Sequence, residues 1–158
     1  MAMTSAVLAY ELRNLDPVPT EAQAIVTLTN AYGVFASYAT AVGVPITSAG
    51  VSLGKAAMAS ALVGMNAPNA GASKLAAAVQ AFWGAVALGL AVSFTGALAI
   101  TPPPNAGLLS LLTTHFATNT SGSATKEAAT TIIAGDFYVQ AIIGGTVTFF
   151  GPVVSPIF

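Results

Sequence analysis

Few side chains in this sequence are able to do chemistry, and the first to consider is His115, the only histidine. A single histidine excludes a metal cluster built on several histidines. Together with Asp136 and a serine it has the residue types of a catalytic triad, but the three would meet only by a coincidence of folding. We therefore expect His115 to be a structural residue with a satisfied hydrogen bond, and we predict no catalytic residues.

Three carboxylates and one glycine-rich segment offer no stronger chemistry. Glu11, Asp16 and Glu21 are spaced five residues apart around a proline-rich break, which is more typical of a solvated surface than of paired catalytic carboxylates. Residues 50–55 (GVSLGK) resemble a phosphate-binding loop, but the spacing is one residue short and Ala56 replaces the hydroxyl that would bind a metal ion. The sequence therefore predicts a protein that is not an enzyme and has no cofactor, no metal site and no small-molecule substrate.

The composition is unusually poor in charge. Hydrophobic residues make up 55% of the 158 residues and charged residues only 6%, against about 25% in typical soluble domains. The net charge of −1, with no Lys or Arg interleaved among the helical aromatic residues, argues against direct readout of nucleic acid. No disulfide is possible because there is no cysteine. So few charges indicate a surface covered by a permanent assembly or by lipid.

The amino-terminal half predicts helices. Residues 1–14 predict a short helix that carries Val7, Leu8, Tyr10 and Leu12. Thr20 followed by Gln23 is a capping-box signature, and a heptad-like seam runs from this cap to Val42. The seam consists of Ile25, Leu28, Tyr32, Phe35, Ala39 and Val42.

The next predicted helix begins at a cap formed by Thr47 or Ser48 and ends at Gly64. Its predicted apolar stripe consists of Val51, Leu53, Ala57, Met58, Ala61 and Leu62.

The most apolar stretch is residues 69–104, which contains the only tryptophan. Asn69 is the predicted N-cap of a helix that ends near residue 92, and an extended segment then leads into three prolines. The face predicted for this helix consists of Leu75, Val79, Phe82, Trp83, Val86 and Leu90.

The carboxyl-terminal part predicts two helices and then a change of pattern. Asn105 is the predicted cap of the first helix, and Ser123 or Thr125 starts the second. Residues 146–150 predict a strand, followed by an apolar tail. The first of these helices carries Leu108, Leu109, Leu111, Leu112 and Phe116.

The predicted fold is therefore mainly α: a small bundle of about five helices with a short β-strand and an extended apolar C-terminal arm. Residues 1–143 form the predicted helical assembly domain and residues 144–158 the arm. The arm either docks on a neighbouring subunit or packs across its own helices, and the sequence leaves both open.

A membrane protein is the alternative interpretation. Residues 75–100 are all uncharged, and this stretch is longer than the roughly 20 residues that a spanning helix needs. Gln80, Ser93, Thr95 and three glycines lie within this stretch, and alanine is its dominant apolar residue, so the assembly interpretation is favoured.

Four segments carry a resemblance to a known class of proteins: residues 31–65, 81–104, 111–120 and 144–158. Their sequences are AYGVFASYATAVGVPITSAGVSLGKAAMASALVGM, AFWGAVALGLAVSFTGALAITPPP, LLTTHFATNT and GGTVTFFGPVVSPIF. They resemble small proteins encoded among the virion structural genes of tailed bacteriophages. The resemblance implies a virion component of the neck, the tail or the capsid surface, assembled in the host cytoplasm. It brings no catalytic or binding residues with it.

The predicted partners are accordingly other copies of this chain and other virion structural proteins, held by permanent apolar contacts. The residues predicted to form these interfaces are Phe82, Trp83, Val147, Phe149, Phe150, Val153, Val154, Ile157 and Phe158.

Overall fold

The computed structural model describes residues 4–13, 20–41, 44–93, 97–101, 105–119, 126–144, 146–149 and 154–156. These residues form six helices and five short strands, and the predicted mainly helical fold is confirmed. In chain order the elements are α1 (Ser5–Arg13), α2 (Glu21–Ser37), β1 (Thr40–Ala41), β2 (Val44–Pro45), α3 (Ser48–Leu62), α4 (Gly71–Ser93), β3 (Ala97–Thr101), α5 (Asn105–Asn119), α6 (Lys126–Gly144), β4 (Thr146–Phe149) and β5 (Val154–Pro156).

The helices pack as a closed series of neighbours. Each helix contacts the next one along the chain, and α6 returns to contact α1. Their apolar faces meet in one core because each helix alone would leave an apolar stripe in water.

Four aromatic rings from α2, α4 and α6 form the centre of this core around Tyr32. Its ring centroid lies 5.4 Å from that of Phe35, 4.8 Å from that of Phe82, 6.5 Å from that of Trp83 and 5.7 Å from that of Phe137. The buried Trp83 Nε1–H donates a hydrogen bond of 2.8 Å to the Tyr32 hydroxyl oxygen. Burial raises the pKa of Tyr32, because the charged phenolate is disfavoured away from water.

The predicted caps of α2 and α3 are confirmed. The Thr20 hydroxyl accepts a hydrogen bond of 3.2 Å from the backbone N–H of Gln23, and the Thr47 hydroxyl accepts one of 3.1 Å from Gly50 N–H. The predicted stop at Gly64 also holds, since its φ of 81° is a left-handed conformation that glycine adopts without steric cost.

The prediction that α2 runs to Val42 is wrong. The helix ends at Ser37, and Thr40 already belongs to a hairpin in which it pairs with Pro45. The backbone N–H of Ile46 donates to the carbonyl of Ala39, so the turn returns the chain to the core, where both side chains are buried. Burial of Ile46 favours the turn over further turns of helix.

The predicted apolar stripe of α3 is wrong at Leu53, which is 48% exposed. The buried positions of this helix are Gly50, Gly54, Met58 and Leu62, which recur every four residues. Glycine rather than leucine faces α4 because the two helices approach closely at this point.

Asn69 is not the N-cap of α4, contrary to the prediction. The helix begins at Gly71, and the first helical N–H, from Lys74, donates to the carbonyl of Ala70. Asn69 has a φ of 61° and forms part of the turn before the helix.

The carboxyl-terminal strands pair within the chain. The sheet has the order β3–β4–β5 with antiparallel neighbours, so β4 is its central strand. In register, Ile100 pairs with Val147, and Val147 pairs with Ser155. Residues 146–149 and 154–156 are therefore tied by backbone pairing to the segment that follows α4.

Candidate functional site

The structure brings His115 and Asp136 together. Nδ1 of His115 on α5 lies 2.6 Å from Oδ2 of Asp136 on α6, and the two side chains are 27% and 13% exposed. An ionised carboxylate can only accept, so in this hydrogen bond Nδ1–H of His115 is the donor, and the expected hydrogen bond of His115 is present. This contact joins two consecutive helices, α5 and α6, at positions 21 residues apart in the chain.

A histidine held by a carboxylate has the geometry of the base in a hydrolytic triad, in which a serine would bond to the other ring nitrogen. Among the described residues, no serine hydroxyl hydrogen-bonds to His115. Within the same residues, no cluster of three or more His, Cys, Asp or Glu side chains is available to hold a metal ion. The pair therefore forms a charge-assisted hydrogen bond that links α5 to α6.

Two of the predicted interface residues are in the core. Phe82 and Trp83 have no exposed surface, and their rings stack edge to face with centroids 5.4 Å apart. Side chains enclosed by their own subunit cannot contact another one, so the prediction for these two residues is wrong. The predicted apolar face of α4 is buried at Val79, Phe82, Trp83 and Val86, where it packs against other helices of the same chain, and the side chain of Leu90 lies outside the described part of the structure.

The remaining interface predictions lie in or beside the C-terminal strands. Val147 and Phe149 belong to the central strand β4, and Val154 begins the edge strand β5. Phe150, Val153, Ile157 and Phe158 lie outside the described residues.

The structure reveals exposed apolar side chains that the sequence interpretation had not selected as interface residues. They occur on α1, α2, α3, α5 and α6, or directly after α3, and the largest exposed fraction is 64%, for Tyr10. Val26 and Val34 are eight residues apart on α2, so they lie on one face of the helix, with the exposed Asn30 between them. The exposed set is Tyr10, Val26, Val34, Leu53, Val63, Leu111, Ile132 and Val139.

An open groove of about 490 Å³ lies between α2 and α3. Its walls combine apolar side chains, including Val34, Ile46 and Val51, with the polar side chains of Asn30 and Lys55. The ammonium group of Lys55 gives this groove a positive charge.

Gly33 determines how Lys55 enters this groove. A Cβ atom at Gly33 would lie 2.8 Å from Cδ and 3.1 Å from Cγ of Lys55, so the lysine stem occupies the space above the bare glycine backbone. Lys55 is half-buried, and none of the described residues forms an ion pair with its ammonium group. The sequence gives no signal for this contact, because it depends on the crossing of two helices.

No protein family model, no curated protein and no solved structure matches this chain. In the part of the chain that the structure describes, every helix is too short or too polar to cross a lipid bilayer.

Proposed function

We propose that this protein is a non-enzymatic structural subunit of a viral particle, held in place by permanent apolar contacts with other subunits. The observation that carries the proposal is the set of exposed apolar side chains, distributed over five of the described helices or their ends, on a chain with only 6% charged residues. Single exposed apolar residues are ordinary in soluble proteins. Here they occur without the usual surrounding charges, as in the interfaces of obligate assemblies.

The use of the few charged side chains supports this proposal. Arg13 donates a hydrogen bond of 3.1 Å to the Thr131 hydroxyl on α6. The Glu21 carboxylate accepts one of 2.7 Å from the backbone N–H of Gly64. His115 is tied to its aspartate partner on α6. Because these side chains form contacts within the fold, fewer charged groups remain to solvate the surface and to keep the protein monomeric.

The viral context rests on the resemblance to virion proteins of tailed bacteriophages. A neck, tail or capsid-associated subunit satisfies the same physical requirement, because such subunits bury large surfaces in symmetric, lasting contacts. The partners are then other copies of the chain and other structural proteins of the particle.

The C-terminal arm is the proposed docking element. In the order β3–β4–β5, the strand β4 is paired on both sides, so an added strand from a neighbour would join the outer edge of β5 or β3. Edge strands offer unpaired backbone groups that favour such addition.

Fractionation of cells followed by size-exclusion chromatography with light scattering tests the proposal. We expect the full chain to be recovered without detergent as a defined oligomer. Recovery from the membrane fraction alone, with a single size only in detergent, would instead support the alternative of a small integral membrane protein with a spanning helix near residues 75–100. A monomer without detergent that stays monomeric at high concentration would contradict the self-assembly part of the proposal.

Removal of residues 150–158 tests the role of the arm. This truncation deletes β5 and keeps the paired strands β3 and β4. We expect a protein with unchanged helical circular dichroism that no longer assembles normally. Normal assembly of the truncated protein would show that the contacts lie on the helical domain alone.

A further inference from the structure

The groove between α2 and α3 presents a cation, Lys55, that has no ion-pair partner among the described residues. Lys55 lines the groove beside Val34, Ile46 and Val51, and among the described residues no carboxylate lies within ion-pair distance of its ammonium. The methylene stem rests over Gly33. An occupant that suits this groove therefore combines an apolar surface with a carboxylate.

The amino-terminal helix offers such a surface. Leu8, Ala9 and Leu12 face the core, while Val7, Tyr10 and Glu11 lie on other sides of α1. Because residues three and four apart are neighbours on a helix, these last three form one continuous ridge, which we call the α1 ridge.

The α1 ridge carries both an aromatic anchor and an unpaired charge. Tyr10 is 64% exposed, and tyrosine is among the residues most enriched at interfaces. The carboxylate of Glu11 has no ion-pair partner among the described residues, whereas Glu21 and Asp136 already have hydrogen-bond partners in the fold.

We propose that the α1 ridge of one copy of this chain docks in the α2/α3 groove of the next copy, with Glu11 paired to Lys55 and Tyr10 against the apolar wall. The ridge and the groove are different surfaces, so the contact is heterologous and repeats into a ring or a filament. This inference rests on the proposed assembly function and names the partner and the contact.

Charge reversal at the two positions is the test. Sedimentation velocity over a concentration series would compare the full-length wild type with Lys55→Glu, Glu11→Lys and the double reversal. We expect the wild type to stay assembled over the whole series, each single reversal to dissociate to single chains within it, and the double reversal to regain the mass of the wild-type oligomer over the same range. Lys74→Glu is the matched control, because Lys74 is also half-buried but lies outside the groove.

Circular dichroism and thermal unfolding would show whether each variant is folded. Should Lys55→Glu fail to fold, Lys55→Met keeps the stem over Gly33 and removes only the ammonium, and Glu11→Gln removes only the matching charge. The variant that combines Lys55→Met with Glu11→Gln should then weaken assembly no more than either substitution alone.

The outcomes separate this inference from the function on which it rests. A wild type that assembles while both reversals behave like Lys74→Glu would overturn the inference and leave the assembly function standing. Failure of the double reversal to restore assembly would overturn it as well. A wild type that remains monomeric throughout would overturn both.

Discussion

Substitution of Gly54 by alanine should destabilise the protein, because this residue sets the distance between α3 and α4. A Cβ atom added there would lie 2.9 Å from Cδ2 and Cε2 of Phe82 and 2.9 Å from Cγ2 of Val86. Carbon atoms in favourable contact are about 3.5–4.0 Å apart. Both neighbours are completely buried, so neither can move toward solvent to relieve the overlap.

The expected magnitude is the difference between two opposing effects. Overpacking of a filled core costs about 1–3 kcal/mol. Replacement of glycine by alanine in a helix returns about 1 kcal/mol. With three contacts compressed at once, the overpacking cost exceeds the gain in helix propensity, and we expect Gly54→Ala to lower the free energy of unfolding by about 1 kcal/mol. In a chain of this length, that is a decrease in Tm of about 2–4 °C.

Gly84→Ala is the matched control. Gly84 is also within a helix, but apart from its chain neighbours and the backbone of its own helix, no heavy atom of the described residues lies within 4 Å of its added Cβ. Only the gain in helix propensity remains, so we expect this variant to raise Tm by about 1–4 °C. Thermal unfolding followed by circular dichroism measures both. An equal increase in Tm for the two variants would refute the close approach of α3 and α4 at Gly54.

Three further predictions concern ionisable side chains. Because burial raises the pKa of Tyr32, the stability that its neutral hydroxyl contributes is complete below about pH 10 and is lost as the pH rises. The absorbance of the Tyr32 tyrosinate should therefore appear only together with a loss of helical circular dichroism. Ionisation of Tyr32 while the protein stays folded would contradict this prediction. Glu21→Gln should lower the free energy of unfolding in urea by about 1 kcal/mol, since the amide accepts more weakly from Gly64 N–H; an unchanged midpoint would show that this bond is not stabilising. Asp136→Asn and His115→Gln should each cost about 1 kcal/mol and be non-additive when combined, whereas additive losses would indicate independent side chains.

Local signals in the sequence were sufficient for the starts of α2 and α3, which depend on a few adjacent residues. The cap at Thr20 requires only a hydroxyl side chain that accepts a hydrogen bond from the backbone N–H three residues later, at Gln23. The apolar seam of α2 requires only the helical repeat. The end of α2 was missed because it depends on the burial of Ile46, beyond a hairpin. The exposed position of Leu53 was missed because the close approach to α4 selects glycine, which has no hydropathy signal.

The candidate sites were less predictable, because they depend on contacts between helices. Apolar periodicity identified Phe82 and Trp83 correctly as buried, but it does not distinguish a core from an interface between subunits. The pairing of His115 with Asp136 and the contact of Lys55 with Gly33 each join residues on different helices. Sequence spacing alone contains no information about such crossings.

The most direct test of the assembly proposal is the molar mass of the full chain on dilution. Sedimentation velocity with fluorescence detection, without detergent and down to nanomolar concentration, would measure it. A permanent apolar assembly should keep the mass of a defined oligomer over the whole dilution series. The molar mass of a single chain at every concentration would contradict the proposal.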